Sequence, residues 1–164
     1  MTSFTEENYL KTIYHLGESK DDNTVSTNEL AESTQTKAAS VTDMIRRLSE
    51  KKLVNYKKYQ GVSLTEEGKN IALKIIRKHR LWEVFLVEKL GFRWDEIHEI
   101  AEQLEHIESV ELTNRLDFFL GNPKFDPHGD PIPNAQGEMP TQLVIKLSDA
   151  PTNTLVQLMN VSED

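Results

Sequence analysis

Apolar side chains recur at helical spacing through most of the first 120 residues, and the breaks in that rhythm mark the elements. Tyr9, Leu10, Ile13, Tyr14 and Leu16 predict an amphipathic helix over 5–19, ended by Gly17 and the polar run Lys20-Asp21-Asp22-Asn23. Ser26 or Thr27 can cap a short second helix over 28–32, with Glu29 three residues after Ser26 as in a capping box. A polar turn over 33–36 leads to a third helix, 37–51, whose Val41, Met44, Ile45 and Leu48 share one face. The period then changes to two. Residues 53–56 and 62–64 alternate around Lys57-Lys58-Tyr59-Gln60-Gly61, the pattern of a two-stranded hairpin. Thr65 caps a long helix that tolerates Gly68 at a small cost in propensity and stops at Gly91. Further helices are predicted over 94–110 and 112–120. An irregular stretch with four prolines (Pro127, Pro131, Pro133, Pro140) follows, then strand-like runs at 143–145 and 155–158.

Helix, short turn, helix and basic hairpin is the order of a winged helix-turn-helix, so the fold class is mainly α with that module at the N-terminus. Charge sharpens the picture. The net charge of −8 comes entirely from residues 76–164, whereas Lys37 to Lys58 carries seven cations against Asp43 and Glu50. Binding follows this local potential and not the total. At the start of the third helix, Thr36, Lys37, Ala38, Ala39, Ser40, Thr42 and Asp43 are small or polar enough to approach base edges. Arg46, Arg47, Lys51 and Lys52, with Lys57 and Lys58 on the wing, suit phosphates. The chain has no cysteine, which excludes disulfides, thiolate metal sites and cysteine nucleophiles. No apolar run approaches the roughly 20 residues that span a bilayer, and no leader pattern opens the chain, so a cytoplasmic protein is expected.

The acidic half holds four of the five histidines. His79 and Glu83 stand one helical turn apart on one face. On the next predicted helix His98, Glu102, Glu105 and His106 fall within an arc of roughly 100°, beside the apolar stripe and not within it. Mixed carboxylate and imidazole sets on packed helices are how helical bundles build metal sites.

These residues resemble the diphtheria toxin repressor family of metal-dependent transcriptional repressors, and its manganese-responsive members most. The likeness runs from residue 4 to about 140. It rests on Glu7-Asn8-Tyr9-Leu10-Lys11-Thr12-Ile13-Tyr14, the helix-turn-helix, Leu64-Thr65-Glu66-Glu67-Gly68, Arg77-Lys78-His79-Arg80-Leu81, Leu104-Glu105-His106 and Asp126-Pro127-His128-Gly129-Asp130-Pro131-Ile132-Pro133. The resemblance implies a homodimer that takes up manganese or ferrous iron, with zinc as a surrogate, and then binds palindromic double-stranded operator DNA. It implies no membrane and no small-molecule substrate. One metal site would use Asn8, Glu102, Glu105 and His106; a second would use His79, Glu83 and His98, with Asp126 and His128 as candidates. Asn8 is a neutral ligand where relatives carry aspartate or methionine, and Lys11 stands where some carry a second carboxylate. The implied organisation is a DNA-binding domain over 1–75, a metal-binding dimerisation domain over 76–140 and a tail, 141–164, like the opening of a small FeoA-like β-barrel. Two other readings of the same residues are a metal-dependent hydrolase and a metal-free winged-helix module.

Overall fold

The computed structural model describes residues 2–57, 60–140 and 149–153. It divides into two compact units, Met1–Ile76 and Arg77–Asp164.

The first unit holds α1 (Phe4–Glu18), α2 (Thr27–Ser33), α3 (Ala38–Glu50) and the strands β1 (Val54–Lys57) and β2 (Gly61–Leu64). Capping boxes start two of its helices: Ser3 with Glu6 on α1, and Ser26 with Glu29 on α2. The second was legible in the sequence; the first is one turn earlier than the apolar pattern begins. β1 and β2 pair antiparallel with Tyr56 opposite Val62, and Val25 adds an isolated bridge to Val62. Leu10, Ile13, Val25, Leu30, Val41, Ile45, Leu48, Leu53, Val54 and Val62 form one buried apolar cluster, so helices and wing share a core. Gly68 is required by that packing. A Cβ there would lie 2.0 Å from the Leu53 carbonyl oxygen, so the position is closed to any side chain.

α4 (Glu66–Leu90) begins in the first unit and ends in the second, where α5 (His98–Leu104) and α6 (Val110–Phe119) follow. The second unit has two smaller apolar clusters. Leu81 and Val84 pack with Leu116 and Ile132, and Leu86 packs with Ile97 and Ala101. Arg77, buried on α4, bonds Asp117 at 2.7 Å and Asn114 at 3.2 Å on α6. The single helix expected over 94–110 is reduced to α5. Residues 94–97 form turns, where Arg93 pairs with Asp95 at 3.0 Å and its N–H bonds the Glu96 carboxylate at 3.2 Å. The strand-like runs expected beyond 141 lie outside the described residues, among which the only sheet is two-stranded.

Candidate metal centre

His79 and Glu83 project from α4 one turn apart and are both buried. His79 lies between two carboxylates, its Nδ1 2.6 Å from Glu105 Oε2 and its Nε2 3.0 Å from Glu83 Oε1. A neutral imidazole donates from one nitrogen only, so this triplet holds an imidazolium or a carboxylic proton. Glu83 is the pivot. Its Oε1 also faces His98 Nδ1 at 3.8 Å, and its Oε2 faces His128 Nδ1 at 3.7 Å. Ligand atoms of His79, Glu83 and His98 lie within 4.8 Å of one another, as do those of Glu83, Asp126 and His128. Burial disfavours the ionised Glu83, but its bond to His79 and the nearby imidazoles outweigh burial and hold the carboxyl below its ordinary range.

The loop residues play different parts. His128 Nε2 lies 3.2 Å from the Trp94 carbonyl oxygen, which can only accept, so Nε2 donates there and Nδ1 is the nitrogen turned toward Glu83. Asp126 Oδ1 accepts the backbone N–H groups of His128 at 2.8 Å and Asp130 at 2.9 Å. Its Oδ2 faces Arg80 Nε at 3.6 Å, and Arg80 also donates to the Pro131 carbonyl. Burial, aided by the charges of Glu83 and Asp130, pushes the Asp126 carboxyl up to about 6 against its backbone hydrogen bond and Arg80. Asp126 therefore shapes the loop that presents His128.

Glu105 departs from the expectation in its burial. Helix α5 ends at Leu104, but the Glu105 N–H still bonds the Ala101 carbonyl at 2.9 Å and its backbone stays right-handed helical, so Glu105 continues the turn that carries His98 and Glu102. It is not beside the core but within it, at 0% exposed. Its pairing with His79, 26 residues away, sets its direction. The other oxygen, Oε1, faces His106 Nε2 at 3.8 Å, while Glu102 faces His98 Nε2 at 3.5 Å. The two ligand sets are thus joined through side chains, one bridge running His79–Glu105–His106. Asn8 belongs to the first unit; its Oδ1 is shielded from solvent without a hydrogen-bond partner among the described residues. An orphaned amide oxygen of this kind is a group that a cation would satisfy. Carboxylate, amide oxygen and imidazole make up the whole donor set, which fits a hard divalent ion such as manganese or ferrous iron.

In the first unit α3 exposes Ala38, Ala39, Ser40, Asp43, Arg46 and Arg47, with Lys37 at its N-cap. Thr42 is half-buried and bonds the Ala38 carbonyl at 2.9 Å. Thr36 stands before the helix, and its hydroxyl lies 3.0 Å from the Tyr9 hydroxyl. Lys57 is exposed at the end of β1, whereas Lys58 lies outside the described residues. Lys52 is also exposed and takes a left-handed φ of 60° just past α3. The amine of Lys51 is 2.8 Å from the buried Glu6 carboxylate, a partner that nothing in the linear spacing announces. No helix among the described residues is long and apolar enough to cross a membrane.

Comparison with known proteins places both units. The iron-dependent repressor N-terminal DNA-binding domain matches residues 1–62, and the iron-dependent repressor metal-binding and dimerisation domain matches residues 65–134. The iron-dependent repressor IdeR of Mycobacterium tuberculosis is 36% identical over 129 residues, which are 79% of this chain and 55% of IdeR. The chain thus spans about half the length of the curated relatives it matches. Among solved structures, a manganese-dependent transcriptional repressor in complex with manganese has a TM-score of 0.78 at 44% identity, over 89% of this chain and 66% of its own. ScaR with bound zinc has a TM-score of 0.70 at 42% identity, over 82% and 61% respectively. With its two halves matched in order by these two domains, the chain belongs to the diphtheria toxin repressor family of iron-dependent repressors, manganese-responsive members included.

Proposed function

We propose that this protein is a transcriptional repressor dependent on manganese or iron, which binds palindromic operator DNA as a homodimer and controls genes for metal uptake. The observation that carries this reading is the buried Glu83 facing His79, His98 and His128, in the same chain as an exposed cationic reading helix. His79, Glu83, His98 and His128 would hold one divalent ion, with Asp126 as the residue that sets the loop. Glu102, Glu105 and His106 would hold another. When bound, the metal supplies positive charge to carboxylates that burial otherwise penalises. The Nε2–H bond to Trp94 keeps His128 in the tautomer that can coordinate.

On the DNA side, Ala38, Ala39 and Ser40 admit close approach to base edges, and Arg46, Arg47 and Lys57 neutralise phosphates. Leu90, Phe118 and Phe119 are exposed although large and apolar, Phe118 at 78%. We assign them to the face covered by the second copy, which would set two reading helices one DNA turn apart. Zinc prefers four ligands and can fill part of a site without recruiting the rest, so it should bind tightly yet activate less completely than manganese. Members of the family are repressors and not enzymes, which leaves the hydrolase reading without support.

The test is a mobility shift on a candidate promoter, with manganese and then with excess chelator. Binding should require manganese, reverse on chelation and weaken steeply with salt, because the phosphate contribution is ionic. Full affinity in chelator would overturn the repressor reading and leave a metal-free winged-helix module.

A further inference from the structure

We propose that Glu6 and Tyr9 are positioning residues through which α1 holds both ends of the reading helix α3, and that this clamp carries the metal response to DNA. The proposal rests on the repressor reading above. Glu6 and Tyr9 are three residues apart on α1 and so lie on one face of it. Both are buried, each 5% exposed. The Tyr9 hydroxyl is 3.0 Å from Thr36 Oγ1, which is in turn 2.8 Å from Thr34 Oγ1, so Tyr9 ties down the turn that enters α3. That turn contains Gln35 at a positive φ of 50°, a backbone state that needs outside support. At the other end Glu6 Oε2 accepts from Lys51 Nζ at 2.8 Å, and Lys51 is the C-cap of α3. The same Glu6 oxygen accepts the Ser3 N–H at 2.8 Å, which locks the start of α1 to the same carboxylate. One helix face therefore grips α3 just before Ala38 and just after Glu50. Asn8, with its orphaned Oδ1, sits on the stretch of α1 between the two grips. An ion drawn to Asn8 acts on that same stretch.

The clamp makes Lys51 a holder of the helix, in contrast to a phosphate contact, and the two roles give opposite results. Glu6→Gln breaks the ion pair while its amide oxygen can still accept from Ser3. If Lys51 were a phosphate contact partly masked by Glu6, this change would strengthen operator binding. The clamp instead predicts a loss of manganese-stimulated operator affinity of about 5-fold or more, the lower end of ordinary coupling between sites. Manganese affinity measured by calorimetry without DNA should stay near that of the wild type. Tyr9→Phe keeps the ring and should cause a loss of the same kind. Lys51→Met changes the half-exposed partner and tests the same ion pair from its other end. It should weaken binding without changing the slope of log affinity against log salt, whereas loss of a phosphate contact lowers that slope by about 1. Lys51→Arg, which preserves the pair, should restore binding. A wild-type chain that ignores manganese overturns the repressor reading itself. A responsive wild type whose Glu6→Gln, Tyr9→Phe and Lys51→Met forms respond in full, or a lowered salt slope in Lys51→Met, overturns the clamp alone.

Discussion

In the first unit a single apolar cluster joins α1, α2, α3, the start of α4 and the wing, and its buried Glu6 bonds Lys51 and the Ser3 N–H. In the second unit the apolar packing is split in two, and the unit also buries Arg77, His79, Arg80, Glu83, Glu105 and Asp126. The contrast separates two sources of stability. Transfer of apolar surface out of water holds the first unit together whatever ions are present. Buried charges in the second carry a desolvation cost that ion pairs offset only where geometry is good. A divalent ion among those carboxylates changes that balance directly. The second unit should therefore be the one whose stability answers to metal.

The chain contains its own probes for this contrast. Trp82 and Trp94, its two tryptophans, lie in the second unit, and its four tyrosines, Tyr9, Tyr14, Tyr56 and Tyr59, in the first. The largest effect should come from Leu48→Ala, which empties a fully buried position on α3 and should cost about 2–5 kcal/mol. Tyrosine fluorescence should report the whole loss and tryptophan fluorescence much less. Equal shifts in both signals would mean that the units unfold as one block, and the contrast would fail. Next, manganese at a hundredfold excess over its dissociation constant should add about 2.7 kcal/mol to the transition seen by tryptophan, and chelator should remove it. A gain confined to the tyrosine signal would place the metal in the wrong unit.

The smallest effect is one of pH in the first unit. The Lys20 ammonium, together with the Ser26 N–H and hydroxyl, lowers the Glu29 carboxyl from 4.5 to about 2. A lowered carboxyl adds stability that is present above 4.5 and lost as pH falls toward 2. Glu29→Gln should flatten the acid dependence of the tyrosine-reported melt across that window. The change should be modest, since the pair is largely solvated. An unaltered acid slope would show that Glu29 titrates alike in the folded and unfolded chain.

The legible parts of this protein were those governed by neighbours in the chain. Tyr9 to Leu16 and Val41 to Leu48 announce their helices because a 3.6-residue period is a local property, and Ser26 with Glu29 announces a cap for the same reason. Gly68 shows where local reasoning stops. Propensity alone makes it a slightly poor helix residue, yet the Leu53 carbonyl, 15 positions earlier, leaves no room for anything else. The expected helix over 94–110 is shorter at its start, where Arg93 bonds Asp95 and the Glu96 carboxylate, and its Glu105 is buried by a contact with His79 that lies 26 residues away.

By itself the sequence determined the chemistry available to the site. With no cysteine and with histidines placed among carboxylates, its ligands had to be oxygen and imidazole nitrogen. It also set the order of reading helix, wing and acidic helices through local periodicity and capping. Tertiary structure alone decided which carboxylates are buried, which face of α1 grips α3, and that Glu83 stands among the three imidazoles of His79, His98 and His128. Those outcomes depend on the angles at which helices cross and on loops that bring His128 back to α4. Residue spacing along the chain does not encode such angles, because a helix of given pattern can pack in several orientations until the whole core selects one.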